Sequence, residues 1–293
     1  MALAGVSKSV LSSLLRYTCP LYARARGSQL VEQVGSAVPF AAGGRLFLLT
    51  AGHVIDDHGR KPLLYPSATA DGAPSKLSDQ VVELFRNDTP EGSEADLVDS
   101  GIIEIPAGAL HPFYLPVPHY MLTMTPTLKH VSEVTLVGYP TTKNKVRRGV
   151  GSATPRGIAF TGGHAQAEYS QLGLSPVAHF CVRFNPERAE VDGVVRTPPS
   201  FHGMSGGAAW SVPESAIRSG SDEGAMLLGL TAQSPPRRTP RERNVIWGPR
   251  VYYIVGLLIR TFPDLAPYLK RPPGYVTTDP EVVRDFREAQ RGI

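Results

Sequence analysis

The sequence predicts an all-β fold in two strand-rich halves, with short helices confined to the ends. Three observations carry that expectation. Short apolar runs bounded by Gly, Pro, Asp and Ser recur from Gln29 to about Pro106, and again from Glu133 to Gln233. Between them, "PAGALHPFYLPVPHYMLTMTPT" over residues 106 to 127 carries five prolines and no sustained periodicity, as suits a connection between subdomains. At 293 residues, 42% apolar and 19% charged, the chain is long for one core and has the make-up of an ordinary soluble protein.

Taken in order, Val6, Val10, Leu11, Leu14 and Leu15 fall at helical spacing, which predicts a short amphipathic helix docked on the body. "LVEQVGSAVPF", "RLFLLT", "VVELF" and "GIIEI" read as strands of the first half, and "EVTLVGYP", "FCVRF", "GAAW" and "AMLLGLTAQ" as strands of the second. No close sequence repeat relates the halves. "SPPRRTPRER", residues 234 to 243, has too many breakers for a helix or strand interior and reads as a solvated basic loop. "VYYIVGLLIRTF" reads as a buried strand running into a helix, "PDLAPYLKRPPGYVTT" as an extended tail, and "DPEVVRDFREAQR" as a capped helix. The expected divisions are an N-terminal helical extension over 1–27, a first β unit over 28–125, a second with its following helix over 126–262, and a tail over 263–293.

A formal charge of +4 gives no reason to expect a nucleic acid or a membrane surface as partner. Two cysteines, Cys19 and Cys181, make no disulfide framework and match no metal-site spacing. Lys8 and Arg16 interrupt the apolar character of the N-terminus, so no secretory h-region is read there, and the longest uncharged apolar run, "VYYIVGLLI", is far short of the ~20 residues a membrane span needs. The expectation is a cytoplasmic protein without a cofactor. His53 and His58 flank Asp56 and Asp57, but the arrangement fits no established zinc spacing, so no metal is expected.

The chemistry is carried by "SFHGMSGGAAW", residues 200 to 210, which fits both G-x-S-x-G and G-x-S-G-G around Ser205. The first is the nucleophile elbow of α/β-hydrolases, whose histidine follows the serine in the chain. The histidines here are 53, 58, 111, 119, 130, 164, 179 and 202, and none follows Ser205. A base for Ser205 must therefore come from upstream.

"LFLLTAGHVIDD", "ADLVDSGIIEIP" and "HGMSGG" supply His, Asp and Ser in the order of the trypsin-like (chymotrypsin-fold) serine peptidases, and the chain resembles that family, its intracellular bacterial-type members in particular. The resemblance covers about residues 28 to 262 and implies two six-stranded antiparallel β-barrels with the active site between them. It includes "GSAVPFAAGGRLFLLTAGH" as the opening hairpin, with Val54 where secreted members often carry a cysteine. It implies His53 as base, Asp99 as the acid that orients it, and Ser205 as nucleophile. Asp99 is preferred to the runner-up Asp96 because Ile102, Ile103 and Ile105 then occupy the apolar places of the strand that follows. Gly203 and Ser205 would supply the oxyanion-hole amides.

Pro199, His202, Ala232 and Gln233 are the expected substrate-binding residues. Pro199 stands where trypsin has its pocket acid, so cleavage after Arg or Lys is not expected to be favoured, and Ala232 and Gln233 fall on the edge that pairs with substrate backbone. Met204 replaces the Asp that pairs with a new N-terminus in secreted trypsins, which removes that activation switch. The expected partners are a protein or peptide substrate and a regulatory protein. The rival expectation is a pseudoprotease that keeps the fold and binds peptides without cutting them.

Overall fold

The computed structural model describes residues 8–24, 31–58, 63–68, 75–76, 81–85, 99–124, 128, 131–143, 155–172, 174–183, 190–191, 194–195, 201–232 and 245–269. These form two curled antiparallel sheets with a few short helices, the double-barrel architecture anticipated above.

The first sheet contains β1 (Cys19–Arg24), β2 (Val31–Ala42), β3 (Arg45–Thr50), β4 (Leu63–Tyr65), β5 (Ser75–Lys76), β6 (Val81–Phe85) and β7 (Ser100–Ile105), in the order β5-β4-β1-β2-β3-β7-β6. Its curl follows from β2, whose first half pairs with β1 and whose second half pairs with β3. Gly43 and Gly44, at φ of 57° and 77°, close the β2–β3 hairpin between Ala42 and Arg45. Two successive positive φ values are what a two-residue hairpin turn matched to strand twist requires.

The second sheet contains β8 (Glu133–Gly138), β9 (Ile158–His164), β10 (His179–Arg183), β11 (Glu190–Val191), β12 (Val194–Val195), β13 (Ala208–Ser211), β14 (Met226–Leu230) and β15 (Val245–Pro249). Its path is β12-β11-β9-β8-β13-β14, with β10 joining β9 to β15. Setting aside the two-residue strands β5, β11 and β12, each sheet has the six principal strands expected.

The helices are α1 (Lys8–Leu15), α2 (Gly52–His58), α3 (Glu168–Leu172), α4 (Glu214–Ser219) and α5 (Val251–Thr261). The docked helix expected near the N-terminus is α1, which buries Val10, Leu11 and Leu14. Burial of each such side chain is worth about 1.5–3 kcal/mol. Two expectations are corrected. Cys19–Arg24, left in the N-terminal extension, is β1 and pairs with β2 and β4, so the first sheet begins inside that extension. "VYYIVGLLIRT", read as strand into helix, is helical throughout, and it buries Val251, Ile254, Val255 and Leu258 along one face. The basic loop over 234–243 and the helix expected in "DPEVVRDFREAQR" lie outside the described residues.

One apolar cluster ties the molecule together. It joins Val10 and Leu14 of α1, Phe40 and Phe47 of the first sheet, Trp210 and Leu227 of the second, and Ile254 and Leu258 of α5. The connecting segment spans the same junction, with Val117 N donating to Pro39 O at 2.8 Å and Thr123 N to Leu227 O at 2.9 Å. The two sheets are thereby joined, and the ends of β3 and β14 meet the loop that leads into β13.

Candidate active site

β3 and β7 pair antiparallel with Thr50 opposite Gly101. That register puts Asp99, just before β7, at the same end of the sheet as the first turn of α2, which carries His53. Gly52 lets them approach closely, since a Cβ there would make tight contacts of 3.0 Å with Asp99 Oδ1 and 3.2 Å with Ser100 O. Asp99 Oδ1 accepts the His53 backbone amide at 2.8 Å, and Oδ2 lies 2.5 Å from His53 Nδ1. The carboxylate thus fixes both the backbone and the ring of the histidine, and the second ring nitrogen, Nε2, is directed away from it. Only 22% of the histidine and 18% of the aspartate side chain remain exposed.

Ser205 enters from the second sheet, on the loop from Phe201 to Gly207 that leads into β13. Gly206, at φ of 80°, packs against Ser36 O, Thr50 Oγ1 and Ala51 N. Ser36 N donates to Ser205 O at 2.8 Å, and Thr50 Oγ1 donates to Ser36 O at 2.7 Å. The serine loop is therefore seated on the end of β3, three residues ahead of His53. Ser205 itself is partly buried, and its Oγ donates to Ala232 O at 2.8 Å.

Of the expected site residues, the structure brings His53 and Asp99 together and sets the Ser205 loop beside them. Asp96, the runner-up acid, lies outside the described residues, as do Pro199 and Gln233. Ala232 is buried against the Ser205 hydroxyl, at the end of the segment that leaves β14. His202 is exposed on the serine loop, and its carbonyl accepts from Thr141 N at 2.9 Å. Gly203, at φ of 89°, occupies a position where a Cβ would meet Thr141 N at 2.8 Å.

Four further residues grip this loop and were not anticipated: Gln33, Ser36, Thr141 and Thr231. Buried polar side chains within apolar strands were the available signal, because burial without a hydrogen bond costs about 1–3 kcal/mol and so implies a partner. Gln33 and Ser36 in "VEQVGSAVPF" and Thr231 after "LLGL" all fit that description.

Among the described residues, no group of three or more His, Cys, Asp or Glu side chains could hold a metal ion, and no helix is long and apolar enough to cross a membrane. Both cysteines are buried free thiols in different clusters, Cys19 in the first sheet and Cys181 in the second.

No protein-family model and no curated protein matches the chain. Solved structures do resemble it. A scabies mite inactivated protease paralogue, S-I1, is 14% identical with a TM-score of 0.48, over 87% of this chain and 97% of that one. A serine endoprotease from Yersinia pestis is 15% identical with a TM-score of 0.48, over 89% of this chain and 68% of that one. An HtrA-type protease, an AlgW variant with decapeptide, is 17% identical with a TM-score of 0.48, over 88% and 68%. Identities this low transfer no residue roles.

Proposed function

We propose that the protein is a serine endopeptidase that cuts peptide bonds through His53, Asp99 and Ser205. The observation that carries this reading is the two-point hold of Asp99 on His53 beside the seated Ser205 loop. A serine hydroxyl is a weak nucleophile at neutral pH and needs an adjacent base whose tautomer is fixed by a third group. In this reading Ser205 Oγ turns from Ala232 O toward His53 Nε2 and attacks the peptide carbonyl carbon, its proton passing to the imidazole. The tetrahedral intermediate places its oxyanion on the Gly203 and Ser205 amides. The C–N bond then breaks as His53 returns the proton to the leaving amine, and water hydrolyses the acyl-enzyme by the same route.

The substrate in this reading is an extended protein or peptide segment that pairs with the edge at Ala232 and Gln233. With Pro199 in place of a pocket acid, cleavage after Arg or Lys is disfavoured. No cofactor takes part. A cytoplasmic setting belongs to the same proposal and is supported by the two free, buried cysteines. With Met204 buried where secreted trypsins carry an Asp, control falls to another device, for which a regulatory protein partner is proposed.

One observation favours the second reading, a non-cutting peptide-binding module: the Ser205 hydroxyl is bonded to the Ala232 carbonyl. A fluorophosphonate probe separates the two. Labelling that disappears in Ser205→Ala, together with new protein N-termini in a proteome exposed to the wild type and not to Ser205→Ala, is the expected result. Peptide binding without labelling or cleavage would establish the module instead, and ester turnover without peptide turnover would make the protein an acyl hydrolase.

A further inference from the structure

Three successive peptide groups of the serine loop are held by their carbonyl oxygens. His202 O accepts from Thr141 N at 2.9 Å and Thr141 Oγ1 at 3.2 Å. Gly203 O accepts from Gln33 Nε2 at 2.9 Å and Ser36 Oγ at 3.0 Å. Met204 O accepts from Thr231 Oγ1 at 2.5 Å and Gly207 N at 2.8 Å. No peptide bond among the described residues is cis. In a trans peptide the C=O and the following N–H point in opposite directions, so anchoring one residue's carbonyl aims the next residue's amide.

The amides aimed in this way by His202 O and Met204 O are those of Gly203 and Ser205. Neither donates to an acceptor among the described residues, whereas Met204 N donates to Phe201 O at 2.9 Å and Gly207 N to Met204 O. The loop thus leaves the two amides of the proposed oxyanion site unspent while using those around them.

We propose that Thr231 is a positioning residue for that site: its hydroxyl holds the Met204 carbonyl and so aims the Ser205 amide at the developing oxyanion. Thr231 is suited to this because its own backbone is fixed to the same loop, with its N donating to Gly207 O at 2.7 Å and its O accepting from Gly206 N at 2.5 Å. It is also 3% exposed, so the hydroxyl is set apart from bulk solvent. The hydroxyl of Thr141 duplicates a bond that its own amide already makes. The hydroxyl of Thr231 also lies 3.2 Å from Gly207 O, which its own amide holds, but its bond to Met204 O has no such counterpart, and without it Met204 O keeps only Gly207 N, which belongs to the loop and moves with it.

The effect on catalysis rests on the peptidase reading; the effect on the peptide group does not. The test compares wild type, Thr231→Val and Thr231→Ser in three measurements. These are fluorophosphonate labelling resolved into its maximal rate and half-saturating concentration, 4-nitrophenyl acetate turnover, and the ¹H–¹⁵N amide signal of Ser205. Thr231→Val is expected to lower the maximal labelling rate roughly 10- to 100-fold with the half-saturating concentration unchanged. Thr231→Ser should restore the rate, and the Ser205 signal should move in the valine variant alone.

Wild-type labelling by Thr231→Val, a loss confined to the half-saturating concentration, or failure of serine to rescue would overturn the proposal. So would an unmoved Ser205 signal. If the wild type itself does not label, the peptidase reading falls and the amide signal alone decides whether Thr231 aims that peptide. Thr231→Ala carries the same comparison should the valine variant not fold.

Discussion

Asp99 binds His53 at two points, one carboxylate oxygen on the backbone amide and the other on Nδ1 of the ring. The two contacts act differently when the acid is changed. An asparagine side chain can still accept the backbone amide through its oxygen, but it then presents an NH₂ to Nδ1 and forces the proton onto Nε2. The ring stays in place in the wrong tautomer.

Asp99→Asn is therefore expected to fold like the wild type and to lose about 10⁴-fold in turnover of a serine-reactive ester substrate. Asp96→Asn should change it little. Melting temperature and steady-state rates measured side by side check both statements, and a larger loss at Asp96 would reverse the assignment of the acid.

Gly206→Ala tests the seating of the serine loop. The added Cβ would run into Ser36 O and Thr50 Oγ1, lie 3.0 Å from Ala51 N, and do so at a φ of 80°. Backbone atoms cannot yield as a flexible side chain can. Overpacking and the left-handed conformation together should destabilise by about 3 kcal/mol, read as a lower urea midpoint, with loss of probe labelling in whatever remains folded.

Arg45 grips Glu104 with two bonds, Nε to Oε1 at 2.7 Å and Nη2 to Oε2 at 2.6 Å, and lies 4.0 Å from the centre of the Phe262 ring. Hydrogen bonding to Arg45 holds the Glu104 carboxyl below its ordinary value. The folded protein thus binds that proton less readily than the unfolded chain does. The resulting stability is present above the unfolded carboxyl pKa of about 4.3 and is lost as pH falls through the lower native value. Glu104→Gln should flatten this part of the acid-stability curve. Arg45→Lys, which keeps the charge and loses the fork and the stack, should cost about 1 kcal/mol.

His164 also makes stability depend on pH. Burial lowers its pKa, the Val131 carbonyl opposes this in part, and the Arg250 charge adds to the lowering. Its ring nitrogens lie 3.2 Å from Val131 O and 3.0 Å from Tyr169 Oη. Because the unfolded chain takes up this proton first, stability is complete above about pH 6.5 and declines as pH drops toward the native value. His164→Gln should remove that slope, measured as urea midpoints across the range.

Much of this could be read from the residues. β2, β3 and β7 announce themselves by β-branched and aromatic runs between glycines, and the Gly43-Gly44 turn by its dipeptide. β1 did not, because "CPLYAR" has a proline and little alternation, and its place is set by pairing with two neighbours. β9 was hidden by Gly162-Gly163, which look like a loop. Gly162 is nevertheless needed inside the strand, where a Cβ would lie 2.5 Å from Arg183 O of the adjoining β10. In α5, Val251, Ile254 and Val255 suggested a strand, and packing of one helical face overrode that preference.

At the site, His53 and Ser205 stand in local motifs and could be found one at a time. The grip of Gln33 on Gly203 spans 170 positions and that of Thr231 on Met204 spans 27, so neither leaves a local pattern.

The apolar cluster shared by Val10, Phe47, Trp210 and Ile254 draws on both sheets and on the helices before and after them. A gene cut within the proline-rich connector would yield two polypeptides that each bare half of a greasy seam. Synthesised separately they would clump. Produced in one cell they would have to find each other before either could mature, and heating the intact chain would melt both barrels in a single step.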